Sequence, residues 1–597
     1  MKFLFFYLSI IITSLHAFNV DKTQLNILSK DRVWLQLLHF DKDTKMSTIE
    51  NKKFFLSPEG KTNPHAELIA TLENYDKRID TQKPFRCLFP ARYLWLSQKL
   101  DLPDYEMIDK RCTTLASWEV RKNVSSISTV FVSGFLGNPA SAFGHSFFKI
   151  NKGKEGENAL FDNTIGYGAK LPKNYNMVSY MYNGLTGGYQ GGYSDKYYYM
   201  DDMAYSNQEF REMWSYQLHL SSYEQELMLL HLWELKKVSF PYYFFNKNCG
   251  YKVSELLELV QDERLTKDAS AWYAPIETFY HLNRIHKKRK TVDKITYIPS
   301  EQQKIYSFYQ DLNTLEQSIV TQIIENEEKV FPKKYKDVKA LSKVKILDFV
   351  LAFYLYKKEH TKASKALQNH IILARLALPL LSYTKSPIPP KSAMTEGNKP
   401  TYVSLGIERY EGEEKIHLGY APFSIEALGY NTFNGDSLSV LEGSITISKE
   451  DIRLQKLDLI KIRRLKTENL PFDTQSPYSW SLHLGMEENQ ERDYFVDVAG
   501  GMSWQLSEEI KVYSLLHLSL HSDAQAYRFS PMLGLYANFD KARLEIAYGY
   551  ENQKESSHYI SKLSIAAQYR IDERFSFYAG LKKADVMTVD MGLKWYY

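Results

Sequence analysis

"VDMGLKWYY", residues 589–597, alternates with period two. Val589, Met591, Leu593, Trp595 and Tyr597 face one way, and Asp590, Gly592, Lys594 and Tyr596 the other. A strand with one apolar and one polar face lies between two phases. The same pattern runs through "YSWSLHLGME" (478–487), with Trp480, Leu482, Leu484 and Met486 opposite Ser481, His483, Gly485 and Glu487. It recurs in "ARLEIAYGY" (542–550), with Leu544, Ile546, Tyr548 and Tyr550 opposite Arg543, Glu545, Ala547 and Gly549. About 10–12 such stretches occur after residue 400, each near the length of a bilayer-crossing strand. A soluble sandwich or lipocalin-like barrel alternates in the same way. The aromatic final strand and the exported N-terminus favour an outer-membrane β-barrel over 401–597, inserted by the barrel assembly machinery. In "IRLQKLDLIKIRRLKTENL" (452–470), Lys461, Arg463 and Arg464 must then face lumen or water, because each costs about 2–4 kcal/mol on a midplane lipid face.

Upstream of the barrel, "YTKSPIPPKSAMTEGNKP" (383–400) has the Pro, Ser and Gly content of a linker. The start, "MKFLFFYLSIIITSLHAFNV", has one Lys, an apolar run from Phe3 to Ile12 and Ala17 as a cleavage position. It predicts a signal peptide over 1–17. No other stretch is long and apolar enough for a helical span. A net charge of +4 on 597 residues gives no argument for nucleic acid. Aromatic residues make up 14% of the chain, which suits strands and a membrane interface. His219 and His231 lie twelve apart with no third ligand in register, so neither a metal site nor a cofactor is expected. Residues 18–125 read as a small helical domain, 126–300 as a mixed α+β domain and 301–382 as further helices.

Three cysteines in an oxidising compartment leave one thiol over. Cys87 and Cys112 lie 25 residues apart in one segment. Pairing them closes a loop worth roughly 3 kcal/mol. Cys249 then stands alone in "FFNKNCGYKVSELLELV" (244–260), where Val253, Leu256, Leu257 and Val260 mark a helix that begins at the cysteine. A helix N-terminus favours a thiolate and offers N–H groups to an oxyanion. The best candidate for the base that such a nucleophile needs is His145 of "GNPASAFGHSFFKI", at the head of a strand. On the next strand, "LFDNTIG", Asp162 and Asn163 are alternatives for orienting the imidazole, with Asn163 preferred.

The stretches "NPASAFGHSFFKI", "YNGLTGGYQGGYS" and "YYFFNKNCGYKVSELLEL" resemble the bacterial family named for the periplasmic part of Lnb, a lipoprotein N-acyltransferase. "CLFPARYLWL" resembles the small domain that precedes it in proteobacterial members. The resemblance implies a permuted papain-like fold, related to NlpC-type amidases and lecithin:retinol acyltransferase, with the family's His and Cys at His145 and Cys249. In place of an Asn-Tyr-Ala-like element, this chain has "IGYGA" with Gly166. Thiol acyl transfer on phospholipid, with a lipoprotein N-terminus or water as acceptor, is the implied chemistry. A peptidoglycan amidase and a non-catalytic envelope assembly protein are the alternatives. Asn248 and the glycines of "NGLTGGYQGGYS" (Gly184, Gly187 and Gly188 first) are candidates for substrate binding: the glycine-rich stretch is either a mobile flap over the thiol or an aromatic loop. "RIHKKRK" (284–290) is either a site for anionic headgroups or a solvated helix end.

Overall fold

The computed structural model describes residues 20–597 except 42, 76–77, 81–82, 102–111, 135–141, 154–158, 173, 175, 267–271, 327–330, 358–360, 382, 384–387, 389–392, 432–434, 449–450, 473–477, 489–491, 524, 553–558 and 585. The signal peptide expected over 1–17 lies outside the described residues. The chain forms two compact units, Met1–Ile298 and Pro299–Tyr597.

The first unit is built on a seven-stranded antiparallel sheet. Its strands are β1 (Val124–Val132), β2 (His145–Lys152), β3 (Asn163–Ala169), β4 (Tyr189–Tyr197), β5 (Met213–Leu218), β6 (Phe240–Tyr242) and β7 (Val292–Ile298), in spatial order β6-β4-β3-β2-β1-β5-β7. The helices that matter to the site are α1 (Pro90–Leu100), α2 (Met177–Thr186), α3 (Ser222–Leu235), α4 (Cys249–Leu257) and α5 (Glu277–His286). A capping box of Ser221 and Glu224 starts α3. The boundary read at residue 125 does not separate two cores. One apolar cluster runs from Trp34 and Trp95 through Phe148 and Leu230 to Leu257. The backbone N–H groups of Ala91 and Arg92, at the head of α1, donate to the buried Glu234 carboxylate of α3. Helix α1 therefore has its unpaired N–H groups satisfied only by the larger domain. Cys87 and Cys112 form a disulfide that ties down the same segment, and Cys249 is a free, buried thiol.

In the second unit, helices α6 (Glu301–Gln310), α7 (Thr314–Asn326), α8 (Ala340–Lys357) and α9 (Lys362–Leu376) share an apolar core to which Leu470 and Phe472 of a barrel connection contribute. No described helix is long and apolar enough to cross a membrane. The barrel strands are β8 (Tyr402–Tyr410), β9 (Glu413–Ala421), β10 (Ser437–Ile447), β11 (Ile452–Arg464), β12 (Ser479–Glu488), β13 (Arg492–Gln505), β14 (Ile510–His521), β15 (Tyr527–Asn538), β16 (Ala542–Asn552), β17 (Tyr559–Arg570), β18 (Phe575–Lys583) and β19 (Met587–Tyr596). Strand β9 resumes beyond Pro422 as Phe423–Ile425. Each strand pairs antiparallel with its neighbours, and β8 pairs with both β9 and β19, so twelve strands close a ring with no free edge.

The alternation in sequence becomes an outside and an inside. On β19, Met591, Leu593 and Trp595 are 48–49% exposed, whereas Tyr596 is 1% exposed. Leu405, Val496, Leu518, Leu533 and Tyr548 continue that outer apolar surface round the ring. Polar partners occupy the lumen: Lys456 and His483 meet Asp458, and His517 meets Asp497. Lys461 and Arg463 face inward, with Arg463 paired to Glu545. Arg464 pairs across from Trp480 at the strand end and does not enter the lumen. Lipid outside and paired charge inside is the arrangement of an outer-membrane barrel.

Candidate active site

Strand β2 starts with His145, and the turn into it needs glycine. Gly144 has φ +92, and a Cβ there would lie 2.8 Å from the Phe131 ring and 2.9 Å from the Val132 carbonyl oxygen. Helix α4 starts with Cys249. Its cap is Asn248, whose side-chain oxygen accepts from the Tyr251 N–H at 3.2 Å. The Asn248 amide nitrogen donates to the carbonyls of Phe244 at 3.0 Å and Tyr273 at 2.7 Å. Gly250 lets the first turn of α4 lie against Pro275, where a Cβ would come within 2.5 Å of Pro275 Cα. These contacts bring Cys249 Sγ to 3.0 Å from His145 Nδ1.

Among the described residues no hydrogen bond holds His145 Nε2; Tyr205 and Phe147 pack against the ring, at 5.7 and 6.2 Å between centroids. Asn163 does not orient it. Strand β3 runs antiparallel to β2 with Phe147 opposite Gly166 and Ile150 opposite Asn163. Asn163 therefore sits five residues along the strand from His145, at its far end. Asp162 belongs to the same end and binds Lys149 Nζ at 2.6 Å. Continuing the register sets Gly168, which has no side chain, across from His145.

The pair lies in a cavity of ≈ 200 Å³. Phe143, Tyr205, Tyr242, Phe244 and Pro275 give it apolar walls, and Arg211 and Asn248 complete the lining. Burial pushes the Cys249 thiol up from its ordinary value; hydrogen bonds from the Ser146 and Gly250 backbone, the Ser146 side chain and the Arg211 charge oppose this without overcoming it. Burial pushes the His145 imidazole down to about 3, aided by the charges of Arg211 and Lys196. The resting pair is thus thiol and neutral imidazole. Burial works against the thiolate expected at the helix N-terminus, because it takes the anion out of water.

Gly184, Gly187 and Gly188 do not line the cavity. "NGLTGGYQGGYS" is the end of α2 and the start of β4, not a flap. A Cβ on Gly184 would fall 2.1 Å from the ring of Phe244, and one on Gly187, at φ +78, 2.3 Å from that of Tyr243. The glycines let α2 press on the cavity wall. Asn248 lines the cavity, but its described bonds all go to the protein. His231 is buried against His39 Nε2 at 3.1 Å and Glu234 at 2.9 Å, while His219 meets Asp293. In the basic run, Arg284 and Lys288 pair with Glu263, Arg289 with Asp262, and Lys290 with Asp293, which is the solvated helix end.

Sequence reasoning missed Arg211 and Tyr205. Arg211 donates to the carbonyls of Ser133 at 2.6 Å and Val132 at 3.4 Å and pairs with Glu209 at 2.8 Å, so it carries a buried positive charge into the site. Tyr205 lies on a π-helical turn, Met203–Gln208, a local irregularity that often accompanies functional positions. No periodic pattern marks either residue.

The fold and lumen define an outer-membrane barrel protein of a Gram-negative bacterium with a periplasmic domain. Residues 114–284 match the model of the Lnb N-terminal periplasmic domain. Residues 26–99 and 395–596 match two models described as domains of unknown function, DUF7843 and DUF7840. No curated protein matches the chain. Among solved structures, the KdgM porin aligns at 10% identity and TM-score 0.23, over 33% of this chain and 99% of that one. The NanC porin aligns at 7% and 0.23, over 33% and 100%. The Acinetobacter baumannii outer membrane protein Omp33 aligns at 10% and 0.18, over 34% and 99%.

Proposed function

We propose that the chain is an outer-membrane-anchored periplasmic thiol acyltransferase or hydrolase acting on phospholipid or lipoprotein acyl groups through Cys249 and His145. The observation that carries this reading is the 3.0 Å contact of a free thiol with an imidazole at the head of a helix, inside an apolar-walled cavity. With both groups neutral at rest, the thiol proton passes to His145 as sulfur attacks an ester carbonyl. Backbone N–H groups at the head of α4 face the developing oxyanion. The ester C–O bond breaks, His145 returns the proton to the departing alkoxide, and a thioester and a lysophospholipid result. His145 then takes a proton from an amine, such as a lipoprotein N-terminus, or from water. That nucleophile attacks the thioester, and the proton ends on Cys249 sulfur. The papain-like ancestry implied by the family supports the same division of labour. Aromatic walls favour an acyl chain over the polar peptides of peptidoglycan.

The test incubates the full-length protein with mixed micelles of detergent and phospholipid, with and without an amine-bearing lipopeptide. Lysophospholipid release by the wild type, lost in Cys249→Ala and His145→Ala, is expected. Equal release by Cys249→Ala rules out the reading, and digestion of purified sacculi in place of lipid turns it into an amidase.

A further inference from the structure

The connection between β9 and β10 does not lie over the rim of the barrel but crosses it. Counting β8 as the first wall strand, β10 is the third and β16 the ninth, so β16 is six strands from β10 in either direction round the ring of twelve. Yet Arg543, inward on β16, donates to the carbonyl of Gly429. Its guanidinium stands 4.4 Å from the centroid of the Tyr430 ring, and that of Arg570 on β17 stands 5.3 Å from it. Other walls grip the same crossing. Glu426 receives Lys594 and the Tyr596 hydroxyl from β19, and Arg463 of β11 donates to the Gly435 carbonyl at 3.1 Å.

A second layer lies beneath it. The expected linker ends early: residues 393–398 are folded into the mouth. Asn398 accepts from the Tyr430 N–H at 3.1 Å, and Arg570 donates to the Glu396 carbonyl. The mouth is dry where an open lumen would be wet. Arg543 is 4% exposed, Tyr430 6% and Asn398 0%. A guanidinium held away from water by the Gly429 carbonyl, the Asn538 side-chain oxygen and an aromatic face marks a built contact.

We propose that the described parts of this crossing segment, held by Arg543 and Arg570, close the barrel at the mouth where β8 begins, so that the barrel anchors the chain and does not conduct. The test is conductance of potassium chloride through planar bilayers containing the full-length protein, with heat-modifiable migration on gels as the check of a folded barrel. The wild type is expected to give no single-channel steps. Arg543→Ala/Arg570→Ala and, separately, Tyr430→Gly are expected to raise the conductance at least tenfold above the wild-type baseline. Urea too dilute to unfold the barrel is expected to open the wild type reversibly. Steady ohmic channels in the untreated wild type overturn the proposal, as does silence of both folded variants and of the urea-treated wild type.

Discussion

Asn248 offers the sharpest test of how the site is held. Replacing it with Ala removes the α4 cap, at about 1 kcal/mol. It also leaves the buried carbonyls of Phe244 and Tyr273 without their donor, at about 1 kcal/mol each. The sum is about 3 kcal/mol, which at an m-value of about 3 kcal/mol/M lowers the urea midpoint by roughly 1 M. Six of the nine tryptophans (34, 95, 118, 214, 233 and 272) lie in the first unit, so tryptophan fluorescence reads its transition in the full-length protein. Asn248→Asp discriminates further. It keeps the cap acceptor but turns a carboxylate towards two carbonyls, so it destabilises about as much as Ala. Either variant falling within about 0.5 kcal/mol of the wild type, the range of an ordinary surface change, would refute the clamp and return Asn248 to the role of a substrate ligand.

Three other outcomes follow from the same geometry. Gly184→Ala drives a methyl into Phe244 and costs about 1–3 kcal/mol, whereas Gly168→Ala, where a Cβ meets nothing within 4 Å, leaves the urea midpoint unchanged. Alkylation of Cys249 by iodoacetamide is slow at neutral pH and rises as pH passes above the ordinary thiol value, since burial pushes that thiol up; a full rate below pH 7 contradicts the neutral pair. Burial holds His39 down at about 4, and Lys252 and His39 hold the buried Glu255 carboxyl below its usual range against the effect of burial. Both groups have depressed values, so their stabilisation is full above the unfolded values and is lost as pH falls; urea midpoints of the first unit should decline from pH 7 towards pH 4, and a flat profile contradicts the network.

The barrel was legible because each wall strand separates lipid from lumen, and "VDMGLKWYY" records that one residue at a time. The placement of Cys249 and His145 was legible from a lone thiol at a helix start and a histidine after glycine. Asn163 misled because its pairing partner is set by register: an antiparallel hairpin puts the start of β3 beside the end of β2. "NGLTGGYQGGYS" misled because its glycines serve close packing on Phe244 and Tyr243, which composition does not distinguish from a mobile loop. Strands β5 and β7 lie in the sheet of the first unit, and their sequences, "MWSYQL" and "VDKITYI", carry no clean alternation. The barrel crossing depends on contacts such as Arg543 with Gly429, more than a hundred residues apart, which no local pattern encodes.

The covalent intermediate is the most direct measure of the proposed chemistry. Peptide mass spectrometry of the full-length protein after exposure to phospholipid should show one fatty-acyl mass on the peptide bearing Cys249, removed by neutral hydroxylamine as a thioester is. An acyl mass on another residue, or none under conditions where lysophospholipid accumulates, contradicts the account.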